Sequence, residues 1–466
     1  MDRILRCAHA YTLEDDGLGY LEKVDIFIDG GKIIKIIPSS QENKAEEIID
    51  LTHHLVLPGF IDAHMHTGMN ILRGLAQDTS HWMMHGLGPF AQVVSQEEEL
   101  LGSKLAILEA ARAGTTSFGD YETNMDEVCG FLKKMGLRGQ ITATVREALH
   151  RVYAPGEIYE FDQKMGEESL QRNLALFEKW NGKDKMRIFF GPQGADFLSA
   201  ELLLRLQRLA KEKHTKIHMH VQQGDRETYQ IQKRYGKRPV AFLKELGYLD
   251  KSLLAVHLTD CLDDEVKIVA QSGANMIFCP ASIGIIDGLV PSADVFQKEG
   301  GMVALGSDQA PGNNSHNLIK EMYCAALFTK IKRQDPEAMP AWKVLRMATI
   351  EGARACGVDE SVGSLEVGKQ ADIIAIDLRR PSMSPVFTHP MRNLVPNLVY
   401  SARGDEVDFS MVGGDIILRE GSFIKDELEE LFEELKGVPE SIGHRAEAGF
   451  NEVAGSNYRW MKEGLL

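Results

Sequence analysis

The chain has 466 residues, a formal net charge of −16, and 44% hydrophobic against 26% charged residues. That length is more than one hydrophobic core usually spans, so a large domain with an accessory unit is expected. The acidic balance argues against a nucleic-acid partner, which needs a basic footprint, and no apolar run is long enough to span a bilayer.

Met1-Asp2-Arg3-Ile4 runs straight into strand-like sequence with no secretory leader. Six scattered cysteines (Cys7, Cys129, Cys261, Cys279, Cys324, Cys356) show no CxxC spacing. They read as reduced, mostly buried thiols of a cytoplasmic protein.

Residues 1–57 are β-rich, with turn signals such as Asp29-Gly30-Gly31. From about residue 59 to 310, short apolar runs alternate with amphipathic segments. Eight runs qualify as strands: Phe60–His66, Thr115–Asp120, Leu137–Val145, Met186–Gly191, Lys216–Val221, Leu253–Leu258, Asn275–Pro280 and Met302–Asp308. Several are near-continuous in apolar and β-branched residues, as strands buried on both faces should be. Ser95-Gln96-Glu97-Glu98 is a capping box opening a helix through Ala113, and Ser199 opens another over Glu201–His214. Further helices are expected over 168–181, 238–247, 263–272 and 317–333. Strand and helix alternating eight times predicts an α/β fold, a (β/α)8 TIM barrel with its chemistry at the C-terminal strand ends.

A β-rich patch returns in Ala371–Asp377 and Val412–Ile417. The expected organisation is therefore a small β-sandwich-like domain formed by 1–58 and 366–424, a barrel over 59–365, and a helical tail over 425–466. The acidic stretch Lys425–Lys436 reads as a solvated face or subunit contact.

The strand ends carry the functional signal. The first supplies His64 and His66, which point the same way because residues i and i+2 share a strand face. The fifth supplies His218 and His220, the sixth ends on His257, and the eighth ends on Asp308. Imidazoles and a carboxylate, with a position left open for water, are the donors of a catalytic metal site. Zinc suits them first, and iron, manganese or cobalt also fit, with one divalent ion per subunit.

These motifs resemble the amidohydrolase superfamily, in the branch of triazine hydrolases, phenylurea hydrolases, and cytosine and S-adenosylhomocysteine deaminases. The markers are Pro58-Gly59-Phe60-Ile61-Asp62-Ala63-His64-Met65-His66, Leu72-Arg73-Gly74, Gly114-Thr115-Thr116-Ser117, Cys279-Pro280-Ala281-Ser282, Gly306-Ser307-Asp308 and Val362–Asp372. The resemblance implies a metal held by His64, His66, His220 and Asp308. His257 would stand beside the attacking water, and Asp308 would take its proton. His218, on the same strand face as His220, reads as a packing or supporting histidine and is counted among the expected substrate contacts. Trp82 and His85, in the loop after the first strand, with Tyr121 and Gln193, complete the expected substrate-binding set. His53, His54, His81 and His316 read as loop or flank residues.

The chain departs from these relatives after the fifth strand. His220-Val221-Gln222-Gln223 stands where the deaminases carry His-x-x-Glu, and an amide cannot relay a proton at neutral pH. Gln223 is the catalytic position changed, and Asp225 or Glu227 could supply the missing acid. Pro192-Gln193 also replaces a histidine found in many of the deaminases.

The expected activity is metal-dependent hydrolysis of a non-peptide C–N or related acyl bond in a small neutral substrate: a urea, carbamate or amide. The alternative is deamination or dechlorination of a purine, pyrimidine, pterin or s-triazine ring. A non-enzymatic scaffold, the third reading, is marked by lost metal ligands, which this chain retains. A small-molecule substrate, no nucleic acid, no membrane and a homodimer are the partner expectations.

Overall fold

The computed structural model describes residues 2–149, 151, 153, 156–425 and 427–466. The chain opens with four strands, β1 (Arg3–Tyr11), β2 (Tyr20–Asp29), β3 (Lys32–Pro38) and β4 (Glu47–Pro58). β1 is antiparallel to β2 and parallel to β4, and β2 is antiparallel to β3. Leu5, Cys7, Ile26, Ile28 and Val56 pack together on one face, while Leu55 and Leu57 on the other face of β4 join the main core.

Gly59 alone separates β4 from β5 (Phe60–His66), the first barrel strand. Then come β6 (Thr115–Glu122), β7 (Arg138–Val145), β8 (Met186–Pro192), β9 (Ile217–Val221), β10 (Leu253–His257), β11 (Asn275–Phe278) and β12 (Met302–Leu305). Every neighbouring pair is parallel, and each successive connection carries helix. The eighth run does not continue unbroken to Asp308 as expected. It stops at Leu305, and Gly306-Ser307 re-aims the chain into β13 (Asp308–Gln309). β12 pairs with β11, whereas β13 pairs with β5 through Asp308↔Met65 and Gln309↔His66, closing the cylinder. A Cβ at Gly306 would meet His64 O at 2.8 Å, so only glycine permits this approach.

The helix Gln96–Arg112 carries the expected box: Ser95 Oγ accepts from Glu98 N and Glu98 Oε2 accepts from Ser95 N. The helix expected over 168–181 begins earlier, at Gln163, because Asp162 accepts from Lys164 N and Met165 N and fixes the N-terminus there.

After the barrel, β14 (Ile373–Asp377), β15 (Val407–Val412), β16 (Asp415–Arg419) and β17 (Ser422–Phe423) return to the first sheet. Antiparallel pairing of β14 with β4 gives the eight-stranded order β17-β16-β15-β14-β4-β1-β2-β3. A bidentate pair, Arg138 Nε and Nη2 on Asp372, bolts this sheet to β7. The chain finishes in helices Leu428–Glu434, Val438–Val453 and Ser456–Lys462. The acidic stretch buries Leu431 and sets Glu427 on Lys134 and Glu434 on Lys104. Among the described residues no helix is long and apolar enough to cross a membrane.

Candidate metal centre

Strand alternation brings the histidines together. Along β5, Met65 turns outward into an apolar cluster, and a register shift between Asp62 and Met65 sets His64 and His66 together on the barrel interior above Ile61 and Ala63. Along β9, Ile217, Met219 and Val221 do the same, leaving His218 and His220 inside. His257 closes β10 and Asp308 opens β13. Both have left-handed backbones, φ +79° and +59°. For non-glycine residues each costs about 1–3 kcal/mol, sustained only where the surroundings over-determine it.

His66 Nε2 lies 3.3 Å from His220 Nε2. Asp308 Oδ1 stands 3.5 Å from His64 Nε2 and 3.6 Å from His66 Nε2. The His257 ring centroid is 5.7 Å from that of His64 and 5.4 Å from that of His220. In each of two overlapping groups, His64/His220/His257 and His64/His66/Asp308, ligand-type atoms all fall within 4.8 Å of one another.

The outer partners orient the rings. His66 Nδ1 is 2.6 Å from Tyr121 O, and His220 Nδ1 is 2.7 Å from Gln193 O. A carbonyl only accepts, so both rings donate from Nδ1 and aim unprotonated Nε2 lone pairs at one another. Two facing lone pairs repel unless a cation lies between them. His64 Nδ1 meets His218 Nε2 at 2.9 Å, and His218 Nδ1 meets Thr142 Oγ1 at 3.0 Å. His64 Nε2 and both nitrogens of His257 are buried without a hydrogen-bond partner, a costly state for polar atoms. Burial, reinforced by the neighbouring rings, holds His64 and His220 well below the usual imidazole range. It lowers His257 to about 4 and His218 to about 3. Neutral imidazoles, orphaned lone pairs and one carboxylate fit a divalent cation.

The expected substrate-binding residues sit in different settings. Tyr121 is fully buried against the histidines, its ring 5.1 Å from those of His218 and His220, with Oη donating to Gly191 O. Gln193 gives its carbonyl to His220 and its side-chain oxygen to Arg146 Nη1 at 3.4 Å. Trp82 packs half-buried with Leu72, Ala76, Leu87 and Ile442, while His85 Nδ1 donates to Ser80 O. Gln223 is half-buried, and its N–H donates to Glu227 Oε2 at 3.4 Å. Glu227 is buried, which pushes its carboxyl well above the ordinary range, and Asp225 is exposed.

Other contacts escaped the sequence. Ser282 Oγ donates to Asp308 Oδ2 at 2.5 Å. Thr142 orients His218. His316, read as a loop residue, is fully buried with Nδ1 2.9 Å from Ser307 Oγ. Ser282 lies in a recognised motif and was the one with a signal; Thr142 and His316 had none.

The amidohydrolase family model matches residues 55–417. The chain is 30% identical over 441 residues to a 5-methylthioadenosine/S-adenosylhomocysteine deaminase of Caldanaerobacter subterraneus subsp. tengcongensis, covering 94% of this chain and 97% of that one. It is 31% identical over 452 residues to a 5'-deoxyadenosine deaminase of Methanosarcina acetivorans, covering 96% and 100%. Among solved structures, a zinc-bound adenosine deaminase from Xanthomonas campestris aligns with a TM-score of 0.86 at 25% identity, over 96% of this chain and 99% of that one. A zinc complex of atrazine chlorohydrolase from Arthrobacter aurescens shares the fold, with a TM-score of 0.83 at 20% identity over 94% and 100%. The chain belongs to the amidohydrolase family. It is a hydrolase of carbon–nitrogen bonds other than peptide bonds.

Proposed function

We propose that this chain hydrolyses an acyl C–N bond of a small, largely neutral substrate, a urea, carbamate or amide, at a single divalent ion, zinc first. His64, His66, His220 and Asp308 would hold the ion. Bound there, a divalent ion would lower the pKa of water toward neutrality and polarise the carbon under attack. Asp308, oriented by Ser282, accepts the water's proton, and His257 donates to the developing oxyanion. The division into 1–58 with 366–424, 59–365 and 425–466 belongs to the same reading, with the chemistry in the middle unit.

The observation that carries the acyl reading is Gln223, where a ring deaminase needs a proton relay. The Glu227 carboxyl is engaged elsewhere, accepting from the Gln223 N–H at the start of helix Asp225–Tyr235. A second reading, deamination of an adenine nucleoside, is favoured by the names of the relatives at 30–31% identity. Six unpaired cysteines, five of them buried, accord with a reducing compartment such as the cytoplasm. The homodimer rests on the resemblance alone.

The test is a zinc-loaded assay on phenylureas, carbamates and anilides beside 5'-deoxyadenosine and 5-methylthioadenosine. Amine release with ring deamination at least a hundredfold slower is expected. Rapid ammonia release from the nucleosides, with no acyl hydrolysis, overturns the acyl reading.

A further inference from the structure

The segment following β5 crosses the barrel mouth. Its Gln77 side chain donates to Pro311 O, three residues past Asp308. Arg226, on the helix that follows His220, contacts the Met83 sulfur at 3.5 Å. The segment is strained: Asp78 and His81 have φ of +57° and +51°, and Met83–Leu87 is a π-helical turn. Such conformations last only where surrounding contacts hold them.

The holding contacts come from the other end of the chain. Arg445 donates to Val93 O at 2.5 Å and pairs with Glu98, the residue that closes the capping box of Gln96–Arg112. Phe450 packs on Phe90 with centroids 5.6 Å apart, and Ile442 joins Leu72, Ala76 and Leu87. Asn457 Nδ2 donates to Gln77 O at 3.2 Å. Between these helices Gly455 presses its backbone on the segment, where an added Cβ would meet His85 O at 3.1 Å and His85 Cβ at 3.2 Å.

We infer that residues 438–457 are a strap that sets the position of the 77–93 segment over the barrel mouth, with Gly455 and Asn457 as its positioning residues. The strap fixes where Trp82, Met83 and His85 stand and so helps set which substrates the mouth accepts. This last step rests on the proposed function, since it takes the substrate to enter there. Asn457 touches the backbone of Gln77 rather than a side chain, so it holds the segment whatever its sequence. At Gly455 an added side chain would crowd His85, so the segment would have to shift by a few tenths of an ångström to admit one.

The test measures hydrogen–deuterium exchange in the zinc-loaded full chain for wild type, Gly455→Val and Asn457→Ala. Exchange of the 77–93 amides is expected to rise tenfold or more in both variants, while β5, β9 and zinc content stay unchanged. On the best substrate found, KM should rise severalfold with kcat within twofold of wild type. Unchanged exchange at 77–93 in both variants overturns the strap, whatever substrate is turned over. Raised exchange with unchanged KM overturns its role in substrate selection. Failure of the acyl reading alone leaves the exchange result standing.

Discussion

His66 and His220 face each other with Nε2 atoms 3.3 Å apart and rings parallel to within 5°. Backbone carbonyls accept the Nδ1–H of each, so neither neutral ring has a proton to offer the other. Chelation should therefore abolish turnover and loosen the fold. A cation present at a hundred times its dissociation constant contributes about 2.7 kcal/mol. Thermal melts with and without chelator, followed by zinc add-back, measure this. An unchanged melting temperature with full activity in chelator contradicts it.

Ser282→Ala removes the hydroxyl that fixes Asp308. Outer partners of this kind typically contribute about 10–100-fold in activity or metal affinity. The variant should lose kcat within that range, and metal analysis separates a binding loss from a catalytic one. Activity equal to wild type would show that Asp308 is held by the ion alone.

Stability should respond to acid through His257. Its folded-state value of about 4 lies below the roughly 6.5 of an unfolded imidazole. Between those values the unfolded chain binds a proton that the folded chain refuses, so stability present above pH 6.5 is lost as pH falls. His257→Gln removes the titration. From pH 7 to 5 the metal-free wild type should lose about 2 kcal/mol more than this variant. Urea midpoints at the two pH values give the difference, and equal losses refute it.

Gln223→Glu restores a titratable acid beside the fifth strand end. Ring deamination should rise at least tenfold and acyl hydrolysis should fall, read as ammonia against amine release. A fall in both activities would mean that Gln223 matters for packing rather than for proton transfer.

Much of this arrangement was legible because strands and residues of ligand type left local marks. Phe60–His66 was bounded correctly, since an apolar run between Pro58-Gly59 and a loop has few other readings. The pairing of His64 with His66 and of His218 with His220 followed from two-residue periodicity. The break after Leu305 did not show, because Ala304, Leu305 and Gly306 read as one continuous strand. What turns the chain there is the distant contact with His64, together with Asp62 accepting from Ser307 N at 3.0 Å. Thr142 and His316 were silent for the same reason: their partners lie 76 and 9 positions away, with no repeat to announce them. The strap was hidden in an acidic, helical tail whose apolar residues are too few to declare a partner.

The interrupted eighth strand joins two jobs at one residue. Asp308 supplies the backbone step that zips β13 to β5 and the carboxylate that faces the imidazoles. Mechanical integrity of the cylinder and alignment of its reactive groups therefore cannot drift apart. A breathing motion that unzips this junction would also withdraw the carboxylate proposed to accept the water's proton, so on that reading an opened molecule is silent rather than indiscriminate.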